Sequence, residues 1–418
     1  MSEGTEINLK VCHLAKYYPP APGGFETHIQ TLARAQVKLG AQVRVLCINS
    51  MNRLGGLSQT TGTVYENDES VEVIRLRRLF TFARFDICPS FIKHLWAVVK
   101  DGYDIVHLHT PNPTMLIAWL ITRVIALVVK RPHPVLVITH HSDIVKQRFL
   151  KYLLRPLEYF VYNQAACILV TSSQYIEGSK FLRPFKSRLK VMPLGLDCAD
   201  YLNPPLAAQL YASYLKAKYG ERLWLCVGRL VYYKALHVAI EALKSAPGKL
   251  LIIGTGSLEG ELRYKAQQLG LENRIVWLGN VEGDQLIGAY HAATALWFPS
   301  NARSEGFGLV QVEAMASGCP TINANIFGSG VPWVSRHEKE GLTIPLNSAV
   351  ELVEAAKRII EEPGLRDRLV VASRERAVGE FDYMKMTQRS FDIYAQALNL
   401  KSIIPASSSV IPVQQYKK

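Results

Sequence analysis

Residues 304–320, SEGFGLVQVEAMASGCP, decide how the rest of this 418-residue chain is interpreted. The segment holds two glutamates eight positions apart, Glu305 and Glu313, around a glycine-rich turn. The residues from Leu309 onward favour a helix, which Gly318 and Pro320 end. We therefore expect Glu305 in the loop before the helix, and Glu313 about one turn inside it, directed toward the same opening.

The turn itself, Gly306-Phe307-Gly308, brings free backbone N–H groups to the start of that helix. Such groups attract an anion, for example a phosphate. Two carboxylates would repel a phosphate, so they are better suited to binding hydroxyl groups. A ligand with both phosphate and hydroxyl groups is a nucleotide sugar. The alternative is an ordinary amphipathic helix with solvated glutamates.

A second anion-binding pattern lies upstream, in GRLVYYK at residues 228–234. It follows a predicted strand and opens a predicted helix. From that loop Arg229 and Lys234 can reach a diphosphate, the arginine through two parallel hydrogen bonds. A departing nucleoside diphosphate gains negative charge, and fixed cations stabilise that charge. The alternative is that both residues are plain surface cations.

Together these two segments resemble the signature of the family-4 retaining glycosyltransferases, which have the GT-B fold. The resemblance covers nearly the whole chain. It implies an α/β fold in which two Rossmann-like parallel-sheet domains face a central cleft. It also implies a nucleotide-sugar donor, retention of anomeric configuration, and no metal ion or other cofactor.

Several phrases are more similar to bacterial mannosyltransferases of polysaccharide assembly. These are HTPNP at 109–113, HSDIVKQ at 141–147, GRLVYYK at 228–234 and GSGVPWV at 328–334. Those enzymes use GDP-mannose and act on polyprenyl-diphosphate-linked sugars at the cytoplasmic membrane face. A UDP-sugar donor remains the alternative within the same family.

The resemblance also assigns roles to individual residues. It implies that Glu313 binds the ribose hydroxyls and that His141, within THHSD, contacts the donor sugar. The residues expected to be catalytic are Arg229, Lys234, Glu305 and His141. The residues expected to bind the donor are Gly23, Gly24, Arg229, Lys234, Glu305, Gly306, Phe307, Gly308, Leu309 and Glu313. His109 and Asp143 are expected to bind the acceptor.

Two positions depart from the family pattern. Ala235 stands where a glycine usually follows the lysine, and residues 338–340, Glu-Lys-Glu, replace a more usual His-Gly-x stretch. Gly254-Thr255-Gly256 suggests a dinucleotide-binding turn, but Gly260 is wrongly spaced for the full fingerprint and the later acidic residue is missing. We interpret this tripeptide as a strand-to-helix turn beside the nucleotide.

Strand and helix patterns alternate along the chain, which indicates parallel sheets covered on both faces. We predict an acceptor-binding Rossmann-like domain over residues 1–200 and a nucleotide-sugar-binding one over 201–380. Residues 381–400 are expected to form a helix that returns to the first domain, and 401–418 a mobile tail. In such sheets the loops after the strand ends build the ligand site.

The net charge of +13 is uneven. Residues 1–200 carry 24 Lys+Arg against 15 Asp+Glu, or +9, and the remainder carries 24 against 20, or +4. Basic residues alternate with aromatic ones over residues 77–96 and 146–162, as suits an anionic membrane surface. The alternative is a solvated face over a core helix. Met115–Val129 is too short to span a bilayer comfortably and is expected to be a buried or interfacial helix.

Other features of the sequence indicate the cellular location of the protein and the rival classes of protein to be weighed. The polar start MSEGTEINLK predicts no signal peptide, and seven scattered cysteines predict reduced core residues without a metal site. We therefore expect a cytoplasmic protein at the inner face of the membrane. A glycosidase, a dinucleotide-dependent sugar-modifying enzyme and a nucleic-acid-binding protein are the rival classes, although no nucleic-acid motif accompanies the charge.

Overall fold

The computed structural model describes residues 9–21, 23–49, 62–82, 85–143 and 148–400. Contacts divide the chain into two units. The first comprises Met1–Leu169, Phe185–Met192 and Met384–Lys418, and the second Val170–Pro184 and Pro193–Tyr383. The sequence predicts one boundary between residues 200 and 201, whereas the chain passes between the two units after Leu169, Pro184, Met192 and Tyr383. The predicted mobile tail, 401–418, lies outside the described residues.

The strands, in chain order, are β1 Lys10–Ala15, β2 Gln42–Ile48, β3 Val64–Asp68, β4 Val71–Leu76, β5 Phe80–Phe82, β6 Phe85–Ile87, β7 Ile105–Thr110, β8 Val135–His140, β9 Cys167–Val170, β10 Leu189–Val191, β11 Leu223–Val227, β12 Lys249–Ile253, β13 Ile275–Gly279, β14 Ala295–Phe298, β15 Thr321–Ala324 and β16 Gly341–Ile344.

The α-helices are α1 Gly24–Lys38, α2 Ser90–Lys100, α3 Pro113–Val128, α4 Arg148–Tyr162, α5 Ser173–Gly178, α6 Ala199–Leu202, α7 Leu206–Tyr219, α8 Leu236–Ala242, α9 Glu259–Gln268, α10 Gly283–Ala292, α11 Leu309–Ala316, α12 Val331–Val334, α13 Ala349–Glu361, α14 Leu365–Glu380 and α15 Tyr383–Ala397. Short 3-10 turns cover Arg183–Arg188, Tyr232–Lys234 and Glu272–Arg274.

The first unit is built on an eight-stranded sheet in the order β10-β9-β8-β7-β1-β2-β4-β3. The central strands β8, β7, β1, β2 and β4 run parallel, while β3 pairs antiparallel with β4. β7 is buried at every position, as expected for a strand with both faces covered. Within this unit, α15 carries Ser390 and Tyr394 into the buried interior.

The second unit is built on a six-stranded, fully parallel sheet in the order β13-β12-β11-β14-β15-β16. Its two faces are covered by apolar clusters that include Trp224 and Trp297 on one side and Leu225 and Leu296 on the other. Successive side chains along a strand point to opposite faces of the sheet, so neighbouring residues of β11 and of β14 belong to different clusters. The carboxyl ends of β11 and β14 therefore deliver the loops that follow, residues 228–234 and 299–308, to one edge.

The sequence pattern predicts strands over residues 71–76, 223–227 and 295–298, among others, and these three coincide with β4, β11 and β14 at both ends. The sequence did not indicate β3, β5, β6, β15 or β16. All seven cysteines are free and buried, which confirms the prediction of reduced core residues. None of the helices among the described residues is long and apolar enough to cross a bilayer.

Candidate functional site

Lys234 and Glu305, which are 71 positions apart, form an ion pair in the second unit. Lys234 Nζ lies 2.6 Å from Glu305 Oε2, and each side chain is 12 % exposed. Lys234 follows β11 and Glu305 follows β14, and these strands are neighbours in the parallel sheet. The Lys234 ammonium also lies 4.7 Å from the centre of the Phe298 ring. The two segments identified from sequence thus meet at one sheet edge.

Arg229 lies in the same loop but is held differently. Its guanidinium is exposed and donates a hydrogen bond to the Tyr233 hydroxyl at 3.0 Å. Gly228 has φ +136°, and a Cβ at that position would come within 3.2 Å of Lys234 Nζ. The glycine therefore lets the lysine side chain lie against the loop backbone. Arg229 is thus exposed beside Tyr233, whereas Lys234 is largely buried and paired with Glu305.

The start of α11 has the geometry that the sequence predicted. Gly308 caps the helix with φ +78°, and an added Cβ would lie 2.8 Å from the Phe298 ring. A side chain is excluded both by the left-handed backbone and by that contact. The first N–H groups of a helix have no partner within it, so this turn presents donors to an anion. The Phe307 side chain itself packs in the core against Phe381.

Glu313 lies inside α11, and its carboxylate accepts a hydrogen bond from the Tyr290 hydroxyl at 2.7 Å. Burial raises the pKa of Glu313, while the Tyr290 hydrogen bond and the Lys234 charge lower it. Burial, followed by the Glu313 charge, holds the pKa of Tyr290 well above its ordinary value. Tyr290 therefore remains a hydrogen-bond donor and leaves Glu313 Oε1 for another donor.

The Gly254-Thr255-Gly256 turn packs against the backbone of the Arg229 loop. A Cβ at Gly254 would lie 2.1 Å from the Gly228 carbonyl oxygen, and one at Gly256 would lie 2.4 Å from that of Leu230. Leu230 N–H also donates to the Thr255 carbonyl at 3.0 Å. These glycines are needed for close backbone packing, which accounts for them without a dinucleotide.

The two departures from the family pattern also have a structural setting. Ala235 has φ +47°, a left-handed conformation that favours glycine, and its buried methyl group joins the core. Glu338 likewise has φ +60° and pairs with Arg358 at 2.6 Å. Glu340 forms an ion pair with Arg336. Ala235 thus keeps the backbone conformation that glycine would adopt most easily, and Glu338 adopts a similar one at the position of the usual histidine.

The first unit contains a buried cluster of histidines at the carboxyl end of its sheet. His107 and His109 alternate along β7 and so share one face, and His13 lies opposite His107 on β1. His109 is hydrogen-bonded on both sides, to His13 at 3.1 Å and to His141 at 3.0 Å. Gln36 binds His13 at 2.8 Å. Both ring nitrogens of His109 contact other histidines, and the predicted role of His109 in binding the acceptor stays a prediction.

Burial keeps these imidazoles neutral. It lowers the pKa of His13 to about 4 and that of His28 to about 3. The pKa values of His107, His109 and His141 also fall well below the ordinary value of 6.5, first through burial and then through their neighbours. His13, His107 and His109 offer nitrogens within 4.8 Å of one another, a spacing that a metal ion could use.

This neutrality predicts a loss of stability in mild acid. Between pH 6.5 and about 4 the unfolded chain binds protons that the folded histidines do not, so the free energy of unfolding falls as the pH decreases. We expect a steadily lower urea midpoint across that window and little change from pH 7 to 8, measured by circular dichroism. His28→Phe removes one such group and should flatten the dependence. An unchanged midpoint down to pH 4 would contradict neutral burial.

The remaining predicted residues of the first unit also have defined positions. Gly23 caps α1, and the Glu26 carboxylate folds over it, while Gly24 is exposed in the first turn. Asp143 lies 3.3 Å from His140 Nε2, and the His140 Nδ1 contacts the Tyr162 hydroxyl at 2.7 Å.

Sequence reasoning missed several residues of these sites. They are His13, Phe25, His28, Gln36, His107, Tyr290 and Tyr394. Phe25 packs on His141 with ring centres 4.4 Å apart. Among these missed residues, the sequence offered a signal for His107. In HLHT at 107–110, His107 and His109 are two positions apart, which places two polar rings on one face of a buried strand.

Two units, each built on a largely parallel sheet with polar groups at its carboxyl edge, are typical of the GT-B fold. Comparisons with known proteins narrow this class. Residues 22–200 match the model for Glycosyltransferase Family 4, and residues 214–376 match that for Glycosyl transferases group 1.

Individual relatives extend over nearly the full chain. The O-antigen chain mannosyltransferase C of Escherichia coli is 30% identical over 94% of this chain and 100% of its own length. The D-rhamnosyltransferase WbpZ of Pseudomonas aeruginosa is 30% identical over 85% of this chain and 87% of its own. The structure of Anabaena Alr3699/HepE in complex with UDP has a TM-score of 0.73 at 20% identity, covering 93% of this chain and 100% of that one. The chain belongs to the family-4, group-1 glycosyltransferases and is a glycosyltransferase.

Proposed function

We propose that this glycosyltransferase moves mannose from GDP-mannose to a lipid-linked or glycan acceptor in polysaccharide synthesis, with retention of configuration and without a metal ion. Arg229 and Lys234 stabilise the leaving diphosphate, and Glu305 with the amides of residues 306–309 holds the sugar and the β-phosphate. Glu313 binds the ribose, and His141 contacts a sugar hydroxyl. The leaving phosphate accepts the proton of the attacking hydroxyl as the new bond forms on the same face.

The observation that carries this proposal is the ion pair between Lys234 and Glu305 beside the start of α11. A cation held at 2.6 Å from a carboxylate is ready to neutralise a diphosphate, as a metal ion does in other transferases. The carboxylate in turn binds sugar hydroxyls once the lysine engages the phosphate. A glycosidase has no use for such a cation beside a helix N-terminus.

The mannosyl donor is supported by the name of the Escherichia coli relative, and a rhamnosyl donor by that of the Pseudomonas one. A UDP-sugar is the second candidate, because the similar Anabaena structure holds UDP. A dinucleotide-dependent enzyme is disfavoured, since Gly254 and Gly256 serve backbone packing.

A thermal-shift panel in EDTA tests the donor. The ligands are GDP, GDP-mannose, UDP, UDP-glucose and NAD, because a ligand that binds only the folded state raises the melting temperature by mass action. We expect stabilisation by the two guanosine ligands alone, by RT ln(1 + [L]/Kd), about 2.7 kcal/mol at one hundred times Kd. Stabilisation by the uridine pair alone would overturn the guanosine donor, and a response only to NAD would overturn the transferase mechanism.

We further propose that the first unit binds an anionic membrane surface at the cytoplasmic face through α3. Ile117, Ile121, Val124 and Val128 recur at helical spacing and are all exposed, Val128 by 75 %. Lys130 and Arg131 are exposed just after the end of the same helix. Apolar side chains beside basic ones suit the boundary between acyl chains and anionic headgroups. Tyr159 and Phe160 of α4 are also exposed.

The double variant Ile121→Asp, Val128→Asp should weaken vesicle binding by about 10-fold or more, because each change removes an apolar contact and adds a repelled charge. Co-sedimentation with phosphatidylcholine vesicles, with and without phosphatidylglycerol, measures this. Val350→Asp is the matched control, since Val350 is an exposed valine on α13 of the second unit. Equal binding by both variants would contradict the assignment of α3.

A further inference from the structure

Gln36 and three histidines form one continuous chain of hydrogen bonds inside the first unit. Gln36 Oε1 contacts His13 Nε2 at 2.8 Å, His13 Nδ1 contacts His109 Nε2 at 3.1 Å, and His109 Nδ1 contacts His141 Nε2 at 3.0 Å. All four side chains are at least 96 % buried. Because each neutral imidazole carries one N–H and one lone pair, the direction of the first bond sets all the others.

The direction of the bond between Gln36 and His13 is determined by the contacts of the Gln36 amide with Ser390 and Tyr394 of α15. The Ser390 hydroxyl donates to the Thr387 carbonyl at 2.7 Å, so its oxygen accepts from the amide. Gln36 Nε2 is the donor, at 3.0 Å from Ser390 Oγ and 3.2 Å from the Tyr394 hydroxyl. The amide nitrogen therefore faces α15, and the amide oxygen must face His13.

The order of protons along the chain follows. His13 donates from Nε2 to Gln36, so its Nδ1 accepts from His109 Nε2–H. His109 Nδ1 then accepts from His141 Nε2–H. His141 is left with a bare lone pair on Nδ1, which is buried and has no hydrogen-bond partner among the described residues.

The neighbourhood of this nitrogen indicates what it binds. His28 packs edge-on to His141 with ring centres 5.7 Å apart, and within the described part of the chain neither of its ring nitrogens has a partner. One of those nitrogens is a donor and the other an acceptor. A buried polar atom without a partner costs about 1–3 kcal/mol, so the site favours a ligand that both donates and accepts. A hydroxyl group has that chemistry.

We propose that Gln36 is a positioning residue which, through His13 and His109, locks His141 in the Nε2–H tautomer so that Nδ1 accepts a hydrogen bond from a sugar hydroxyl. This inference rests on the proposed glycosyl transfer for the identity of the ligand. Its core, the locked tautomer, does not depend on the donor. The three nearby nitrogens of His13, His107 and His109 then serve hydrogen bonds rather than a metal ion.

The test is a long-range ¹H–¹⁵N correlation spectrum of protein labelled on histidine nitrogens, at pH 7.5 and without ligand. A protonated and a bare ring nitrogen differ clearly in chemical shift. We expect only Nε2–H for His13, His109 and His141. Gln36→Met keeps the size of the side chain but removes its amide, and should give mixed tautomers at these three residues together with a fall in kcat/KM of about 10–100-fold, the scale for losing an orienting partner.

Thr139→Val is the matched control. Thr139 Oγ1 binds His107 Nε2 at 2.6 Å, next to the chain but not in it, so this variant should leave the tautomers of His13, His109 and His141 unchanged. In Gln36→Met, His107 should keep its Nε2–H form because Tyr394 still donates to its Nδ1 at 2.7 Å.

Three results would overturn the inference. One is Nδ1–H on His141 in the wild-type protein, and another is Gln36→Met with unaltered tautomers and kcat/KM. The third is one equivalent of zinc in the purified protein that is lost in His13→Phe, since a metal would replace the hydrogen bonds. If the tautomers are as expected but GDP-mannose is not turned over, the donor assignment fails and the locked tautomer stands. The kcat/KM values of the wild-type protein and Gln36→Met are then compared using the donor that the thermal-shift panel identifies.

Discussion

Lys234→Ala is expected to lower kcat by about 10²–10³-fold, the usual scale for losing one charge-stabilising donor. The lysine is held at 2.6 Å from Glu305 in a largely buried position, so its removal also leaves a carboxylate unpaired where we propose that the diphosphate gains charge. Arg229→Ala should lower kcat on the same scale, although its exposed side chain gives up a single hydrogen bond within the described residues, to the Tyr233 hydroxyl. Steady-state kinetics with the donor identified by thermal shift measures both.

The matched control is Lys265→Ala. Lys265 forms an ion pair with Glu241 at 2.8 Å on the surface of the same unit, and exposed pairs of this kind contribute about 0–1 kcal/mol to stability. Its loss should leave kcat unchanged. The double variant Lys234→Ala, Glu305→Gln leaves no unpaired charge and keeps an oxygen for sugar hydroxyls, so turnover above that of Lys234→Ala would measure the effect of the unpaired carboxylate. Normal turnover by both Lys234→Ala and Arg229→Ala would show that the diphosphate lies elsewhere.

Glu313→Gln is expected to weaken GDP binding by about 10–100-fold, because a hydrogen bond to a charged group contributes about 1.5–3 kcal/mol. The glutamine keeps an oxygen for the Tyr290 hydroxyl, which lies 2.7 Å from the carboxylate, so the fold of α11 should be preserved. Isothermal titration calorimetry with GDP measures the change.

A matched ligand isolates the role of the ribose. 2′,3′-Dideoxy-GDP lacks the hydroxyls that Glu313 is proposed to bind, so the wild-type protein and Glu313→Gln should bind it equally. Tyr290→Phe, which removes only the hydrogen bond that orients the carboxylate, should cause a smaller loss with the same dependence on ribose hydroxyls. If Glu313→Gln weakens both nucleotides equally, the carboxylate stabilises the helix rather than binding the ribose.

The glycine turn and the two glutamates are predictable because they are close in sequence. Gly308 needs a left-handed backbone, and the residues after it favour a helix, so Glu305 and Glu313 take their places around α11 by local geometry alone. The resemblance to a family added the link to Lys234, which local pattern does not contain. The small strands β5 and β6 were missed because three residues carry too little periodic signal.

What the sequence alone determined is the family, the alternation of strands and helices, and the residues around the start of α11. These depend on interactions within about one turn of chain or on a recognisable pattern. Only the tertiary structure decided that Lys234 reaches Glu305 and that Gln36, His13, His109 and His141 share one hydrogen-bonded chain. The register of parallel strands places His13 beside His107, and α15 returns Ser390 and Tyr394 to Gln36 from more than 350 positions away. Such contacts arise from burial against a common sheet, which no local spacing encodes.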